Sequence, residues 1–161
     1  MLYGPKVLDH MKKLPARLTF EDAPTDFMTV DLEVYSRRRL KPLAEYLSKH
    51  LSVHHEGPWD RGLYFAAFGG SGYKGNRPLR TADQQIAELV RLVRAFPPEI
   101  AAYWAAAQSR NFDIGVQSGL YPPSYQLGLS PKTLAEAVSV KAKIVVTVYA
   151  PNSTYEPQPR R

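Results

Sequence analysis

Residues 112–151 read FDIGVQSGLYPPSYQLGLSPKTLAEAVSVKAKIVVTVYAP, and this stretch decides the fold. Phe112 to Gln117 is a β-prone run. A loop rich in Tyr and Pro follows. Ser130 then supplies a helix cap, and Pro131, with its fixed φ, suits the first helical turn. Leu134, Ala137 and Val138 recur at helical spacing and are expected to face inward. Lys143 to Tyr149 closes the block as a strand. Ile144, Val146 and Val148 share one of its faces; Val145, Thr147 and Tyr149 share the other. Both faces are apolar or β-prone, which predicts a central strand.

Upstream, Met28, Val30, Leu32 and Val34 alternate with Thr29, Asp31, Glu33 and Tyr35, the period of a strand with one buried face. Leu40, Leu43, Ala44 and Leu47 then recur at helical spacing. Pro42 fits only a first turn, so that helix should begin near Arg39 to Lys41. Leu51 to His55 and Leu63 to Phe68 read as a hairpin joined through Gly57-Pro58 to Gly62.

Thr81 and Gln84 have the spacing of a capping box. Ile86, Leu89, Val90, Val93 and Phe96 form the apolar stripe of the next helix, with Gln85, Glu88, Arg91 and Arg94 off it. Pro97-Pro98 ends that helix and opens another, whose buried face is Ile100, Tyr103, Trp104 and Ala107. A short amphipathic segment with Val7, Leu8 and Met11 is predicted near the start. Strands and helices are mixed without regular alternation. The expected architecture is one α+β domain over residues 1–151, with a polar tail at 152–161. Its sheet should be mostly antiparallel, with about five strands and helices mainly on one face.

The chain has 161 residues and a net charge of +6. It contains no Cys, which excludes disulfides, thiolate zinc sites and thiol nucleophiles. No apolar run is long enough for a membrane helix, and Lys6, Asp9, Lys12 and Lys13 break up any signal-peptide core. The reading is cytoplasmic, with no membrane association. Half of the net charge falls in residues 57–80, where Arg61, Lys74, Arg77 and Arg80 face only Asp60. A basic excess of this kind suits acidic proteins or nucleic acid, or serves solubility.

Residues 70–75, GSGYKG, spell a dinucleotide fingerprint. That motif must pass directly from strand to helix, and here Asn76, Arg77 and Pro78 intervene before the cap at Thr81. The segment therefore reads as a flexible surface loop; over Gly69 to Arg80 it is either simply solvated or brings backbone amides with Lys74, Arg77 and Arg80 to an anion or an acidic partner. His54 and His55 are adjacent in a strand and point to opposite faces, so they should not share a metal ion. Ser71 and Ser118 lie outside any nucleophile elbow. Asp60, Asp83, Asp113 and Glu136 are scattered along the chain. No catalytic residue, cofactor or metal is assigned.

Two parts of the chain carry a resemblance. One is Met28 to Ser36 followed by Leu40 to Leu43. The other is Phe112 to Gly115, then Leu129 to Leu134, then Ile144 to Tyr149. Together they resemble small bacterial immunity-protein-type domains of polymorphic toxin systems, over about Met28 to Pro151. The resemblance implies an α+β domain that binds and blocks a cognate toxin, and it brings no catalytic residues. This chain departs from the acidic composition of many nuclease-directed members, which implies a toxin other than a strongly basic nuclease. The expected partner-binding residues are Tyr121, Tyr125, Tyr73, Lys74, Arg77 and Arg80, with Tyr and Arg as interface anchors. The alternatives are a nucleic-acid-binding module using Lys74, Arg77, Arg80 and Arg37 to Arg39, and a small enzyme with an unrecognised site, for which a deep pocket joining His54 or His55 to a carboxylate would be the sign.

Overall fold

The computed structural model describes residues 25–69, 73–74, 77–119 and 124–150. The predicted segment near Val7 to Met11 and the tail at 152–161 lie outside the described residues. The elements are β1 (Asp26–Ser36), α1 (Lys41–Leu47), β2 (Ser52–Pro58), a 3-10 turn (Asp60–Gly62), β3 (Tyr64–Gly69), β4 (Tyr73–Lys74), β5 (Arg77–Pro78), α2 (Ala82–Arg94), α3 (Pro98–Ala106), β6 (Ser109–Gln117), α4 (Pro131–Ser139) and β7 (Lys143–Tyr149). Five strands form one sheet in the order β2-β3-β1-β6-β7, and β4 and β5 form a separate ladder. All neighbours in the large sheet are antiparallel except β6 and β7, which the α4 crossover makes parallel. This is the α+β architecture expected from the sequence.

The helices gather on one face of the sheet. Val30, Leu32 and Val34 of β1, Phe68 of β3, and Phe112, Ile114 and Val116 of β6 meet Leu43 and Leu47 of α1, Ile86, Leu89 and Val90 of α2, and Ile100 and Trp104 of α3. The alternation in β1 sends Val30, Leu32 and Val34 to this core, but not Met28: the register shift between Phe27 and Thr29 breaks the period there and leaves Met28 half exposed beside Gly115. Pro42 sits in the first turn of α1, as its missing N–H demands. The Ser130 hydroxyl accepts from the Thr133 amide at 3.2 Å and caps α4.

Four readings of the sequence need correction. First, β7 is an edge strand, not a central one. Apolar residues on both faces record what lies above and below a strand, not whether a second strand bonds to its backbone. Second, on α4 only Ala137 of the three expected residues is buried; Leu134 and Val138 are 45% and 73% exposed. Third, Gln85 is not off the buried face of α2. It is 4% exposed. Its side-chain oxygen accepts from the Val30 amide at 2.8 Å, and its amide donates to the Leu79 carbonyl at 3.0 Å. The β1–β6 register shifts between Phe27 and Thr29, beside the Val30 amide that Gln85 engages. Fourth, the capping box at Thr81 is half made: Thr81 Oγ1 accepts from Gln84, but the Gln84 side chain reaches the Arg80 amide at 2.8 Å instead. In the hairpin, β2 continues through Pro58, and the turn is confined to Trp59–Leu63. Arg61 has φ 54° and Gly62 has φ 74° there.

Candidate functional site

The sheet face opposite the helices carries the polar half of the β1 alternation. Thr29, Asp31, Glu33 and Tyr35 of β1 stand in register with Gly115, Asp113, Asn111 and Ser109 of β6. Asp31 and Asp113 are direct cross-strand neighbours, a like-charge pair that a sheet avoids unless other groups stabilise it. Thr147 of β7 donates to both Asp113 carboxylate oxygens, at 2.8 and 2.9 Å. The Asn111 amide donates to Glu33 at 3.1 Å, and Ser109 donates to Asn111 at 2.9 Å. His54 Nδ1 lies 3.7 Å from an Asp31 oxygen. The His54 ring lies so close over Gly69 that a Cβ there would come within 2.5 Å of it.

Neighbouring side chains, rather than a helix, shelter this row. Asp113 and Asn111 are each 9% exposed. Burial pushes the Glu33 carboxyl above its ordinary range; the Asn111 hydrogen bond opposes the rise, and the Asp113 and Asp31 charges add to it. Burial, followed by the Glu33 charge and its hydrogen bond, pushes the Tyr35 phenol up to about 12. Burial likewise raises the Tyr149 phenol, and the charges of Asp113, Asp31 and Glu33 reinforce it.

Aromatic and apolar groups bound the acidic row along the strands. At one end Tyr35 stacks on Phe65 at 4.6 Å, with His55 at 5.3 Å and Trp59 at 4.8 Å from the same ring. Trp59 remains half exposed. At the other end Tyr149 leans over Gly115, beside Met28. Both are about half exposed. An acidic centre between aromatic ends is a surface able to receive cationic side chains by ion pairing and by contact with ring faces.

A concave feature lies at one end of the helical layer. It is a groove of about 240 Å³ lined by Val93, Arg94, Trp104, Arg110, Ser139 and Lys141, among others. Arg110 donates there to the carbonyls of Trp104, Ala105, Ala107 and Lys141. Its guanidinium satisfies the open carbonyls at the C-terminal end of α3, where a cation also suits the helix dipole. Partial burial lowers its pKa. This is a structural clasp.

The sequence-predicted partner residues do not lie in the five-stranded sheet. Tyr73 pairs with Pro78 and Lys74 with Arg77 in the β4–β5 ladder. Arg80 is exposed just before α2. Tyr125 is 37% exposed, and Tyr121 lies outside the described residues. The Ser130 amide donates to Asp83 at 3.0 Å, tying the end of the Tyr/Pro segment to the helix start that follows Arg80. His54 and His55 do not point to opposite faces as alternation predicts: the register shift between Val53 and His55 sets both on the helix-free face, His54 by Asp31 and His55 on Phe65 and Trp59. Among the described residues, no group of three or more His, Cys, Asp or Glu is placed to hold a metal ion. Arg38 lies over the Tyr103 ring at 4.6 Å, and Arg39 donates to the Tyr64 hydroxyl at 3.2 Å. Among the described residues, no helix is long and apolar enough to cross a membrane.

Alternation alone puts Asp31, Glu33 and Tyr35 on one strand face without giving them a role, and it does not bring Asp113, Trp59 or Tyr149 to them. The usable signal was Asp113, an acid between Phe112 and Ile114 in an otherwise apolar strand. Comparison of the chain with protein-family models, with curated proteins and with solved structures finds no match. The class that fold and site define is an α+β domain with its helices on one side and an acidic, aromatic-edged sheet face on the other.

Proposed function

We propose that this protein is a non-catalytic, protein-binding domain that uses the helix-free sheet face to engage a basic surface of its partner. One observation carries the reading: Asp31, Glu33 and Asp113 are gathered on a single sheet face between Trp59 and Tyr149, in a chain whose net charge is +6. A local field opposite in sign to the whole molecule selects partners by complementarity rather than by net charge. The resemblance to immunity-type domains supplies the biological setting, occlusion of a cognate toxin. The acidic face adds that a toxin with a basic active surface fits, despite the basic composition of the chain. Nucleic acid is repelled from this face.

Co-expression with the product of the adjacent reading frame tests the proposal. A toxic neighbour should be neutralised and should co-purify with the chain. Trp59→Ala should weaken the complex about 30-fold, as loss of a half-exposed aromatic anchor at the rim of the acidic row does. A harmless neighbour with no complex rejects the proposal, as does a complex indifferent to Trp59→Ala.

One observation favours a second reading, a small enzyme: His54 and Asp31 form an imidazole–carboxylate pair next to a carboxyl of raised pKa. Turnover of a chromogenic ester or glycoside that is lost in His54→Ala would select it over occlusion.

A further inference from the structure

We propose that two copies of this chain associate through the free edge of β7, forming a continuous ten-stranded sheet with their α4 helices side by side. Among the described residues β7 bonds to β6 along one edge only, and no strand of the five-stranded sheet lies beyond it. Edge strands normally carry a guard against further pairing, such as a proline, a bulge or an inward charge. β7 has no proline, its register with β6 runs unbroken from Lys143 to Tyr149, and its one charge, Lys143, stands at its start.

The surface beside this edge is apolar on the helix side. Val146 and Val148 are 53% and 63% exposed there. Thr133 and Ala137 form the buried line of α4. Ser139 stands on one flank, bonded to Arg94 of α2 at 2.8 Å. At a helical 100° per residue, Leu134 and Val138 fall on the opposite flank. α2 packs toward β1 and α4 toward β7, so that flank overlooks the β7 edge. Its charged neighbours Lys132 and Glu136 lie on the α2 side of the same wheel. The pattern of β7 and α4 in the sequence is that of buried elements, yet four of their apolar residues stand in solvent in the single chain.

A two-fold axis normal to the sheet at Val146 resolves this. It places Val146 beside Val146 of the partner subunit and Ile144 beside Val148 of the partner subunit. It keeps both α4 helices on one face, with Leu134 and Val138 meeting their symmetry mates. The contact is isologous and closes, so it yields a dimer and not a fibre. Both edges together with the exposed apolar side chains bury on the order of 1,000 Å², the lower threshold of a specific interface. The helix-free acidic face stays outside the contact and is presented twice.

The test is the mass of the full chain by light scattering or sedimentation equilibrium, from dilute to the highest soluble concentration. The expected result is a rise from 18.1 kDa to twice that mass. Val148→Lys and, separately, Val138→Glu should return it to the single-chain value. Met28→Lys, on the other face, should leave the doubled mass intact. Val138 is exposed on a helix, so its variant reads the same surface should Val148→Lys fail to fold. A wild-type chain that stays single at every concentration overturns the proposal. A doubled mass that survives both β7–α4 substitutions also overturns it, because the dimer then forms elsewhere.

Discussion

Replacing Gln85 by Met should destabilise the fold by about 3 kcal/mol. Gln85 sits within α2 at 4% exposure and bridges three elements. It accepts from the Val30 amide at 2.8 Å, donates to the Leu79 carbonyl at 3.0 Å and lies 3.3 Å from the Thr29 hydroxyl. Met matches its length and packs in the same space, so the cavity contribution is small. What remains is the loss of the bond to the Leu79 carbonyl, about 1 kcal/mol, and a buried Val30 amide left without a partner, about 1–3 kcal/mol. The better transfer of Met offsets part of this. Urea unfolding followed by circular dichroism reads the change as a shift in midpoint at constant slope. Gln85→Glu should cost more at neutral pH, because it also buries a charge, and should recover in acid as the carboxyl protonates. A Gln85→Met variant within 0.5 kcal/mol of wild type, on the scale of an ordinary surface substitution, would refute the view that this side chain locks α2 to the sheet.

Three further outcomes follow from the same geometry. The raised Glu33 carboxyl means that the folded state holds this proton more tightly than the unfolded chain, so its contribution falls as pH climbs above the ordinary value of 4.5. Glu33→Gln, which keeps an acceptor for Asn111, should therefore be more stable than wild type at neutral pH, and the difference should vanish in acid. The same variant should bring the Tyr35 phenol down from about 12, seen in the ultraviolet phenolate titration. Thr81→Ala removes the oxygen that accepts from Gln84 at the start of α2 and should cost about 1 kcal/mol in the same unfolding assay. Arg110→Ala frees four carbonyls around the end of α3 and should cost about 2 kcal/mol, discounted for the partial exposure of the guanidinium.

The elements were legible because their signals are local. Alternation from Met28 to Tyr35, Pro42 in a first turn, the Thr81 and Ser130 caps and the stripe from Ile86 to Val93 each fix a segment by its own period or chemistry. Strand neighbours are a different matter. The period of β7 describes its two faces, and nothing in it records that only β6 bonds to its backbone. Gln85 read as polar and therefore outward, because its partners, Val30 and Leu79, are brought to it by the tertiary fold. The acidic face was hidden for the same reason. Asp31 and Glu33 are far along the chain from Asp113, and only the β1–β6 register makes them neighbours. Charge summed along the sequence pointed to the basic segment around Lys74 and Arg77, whereas charge summed over the sheet face has the opposite sign.

The most direct test of the binding face is an amide chemical-shift map of the isotopically labelled chain, with and without the product of the adjacent reading frame. The account predicts that the changes concentrate at Asp31, Glu33, Tyr35, Trp59, Asp113 and Thr147. It also predicts that Glu33→Lys, by reversing a charge at the contact, weakens the complex about 100-fold. Changes confined to the outer surfaces of α2 and α3, with these six amides unmoved, would contradict it.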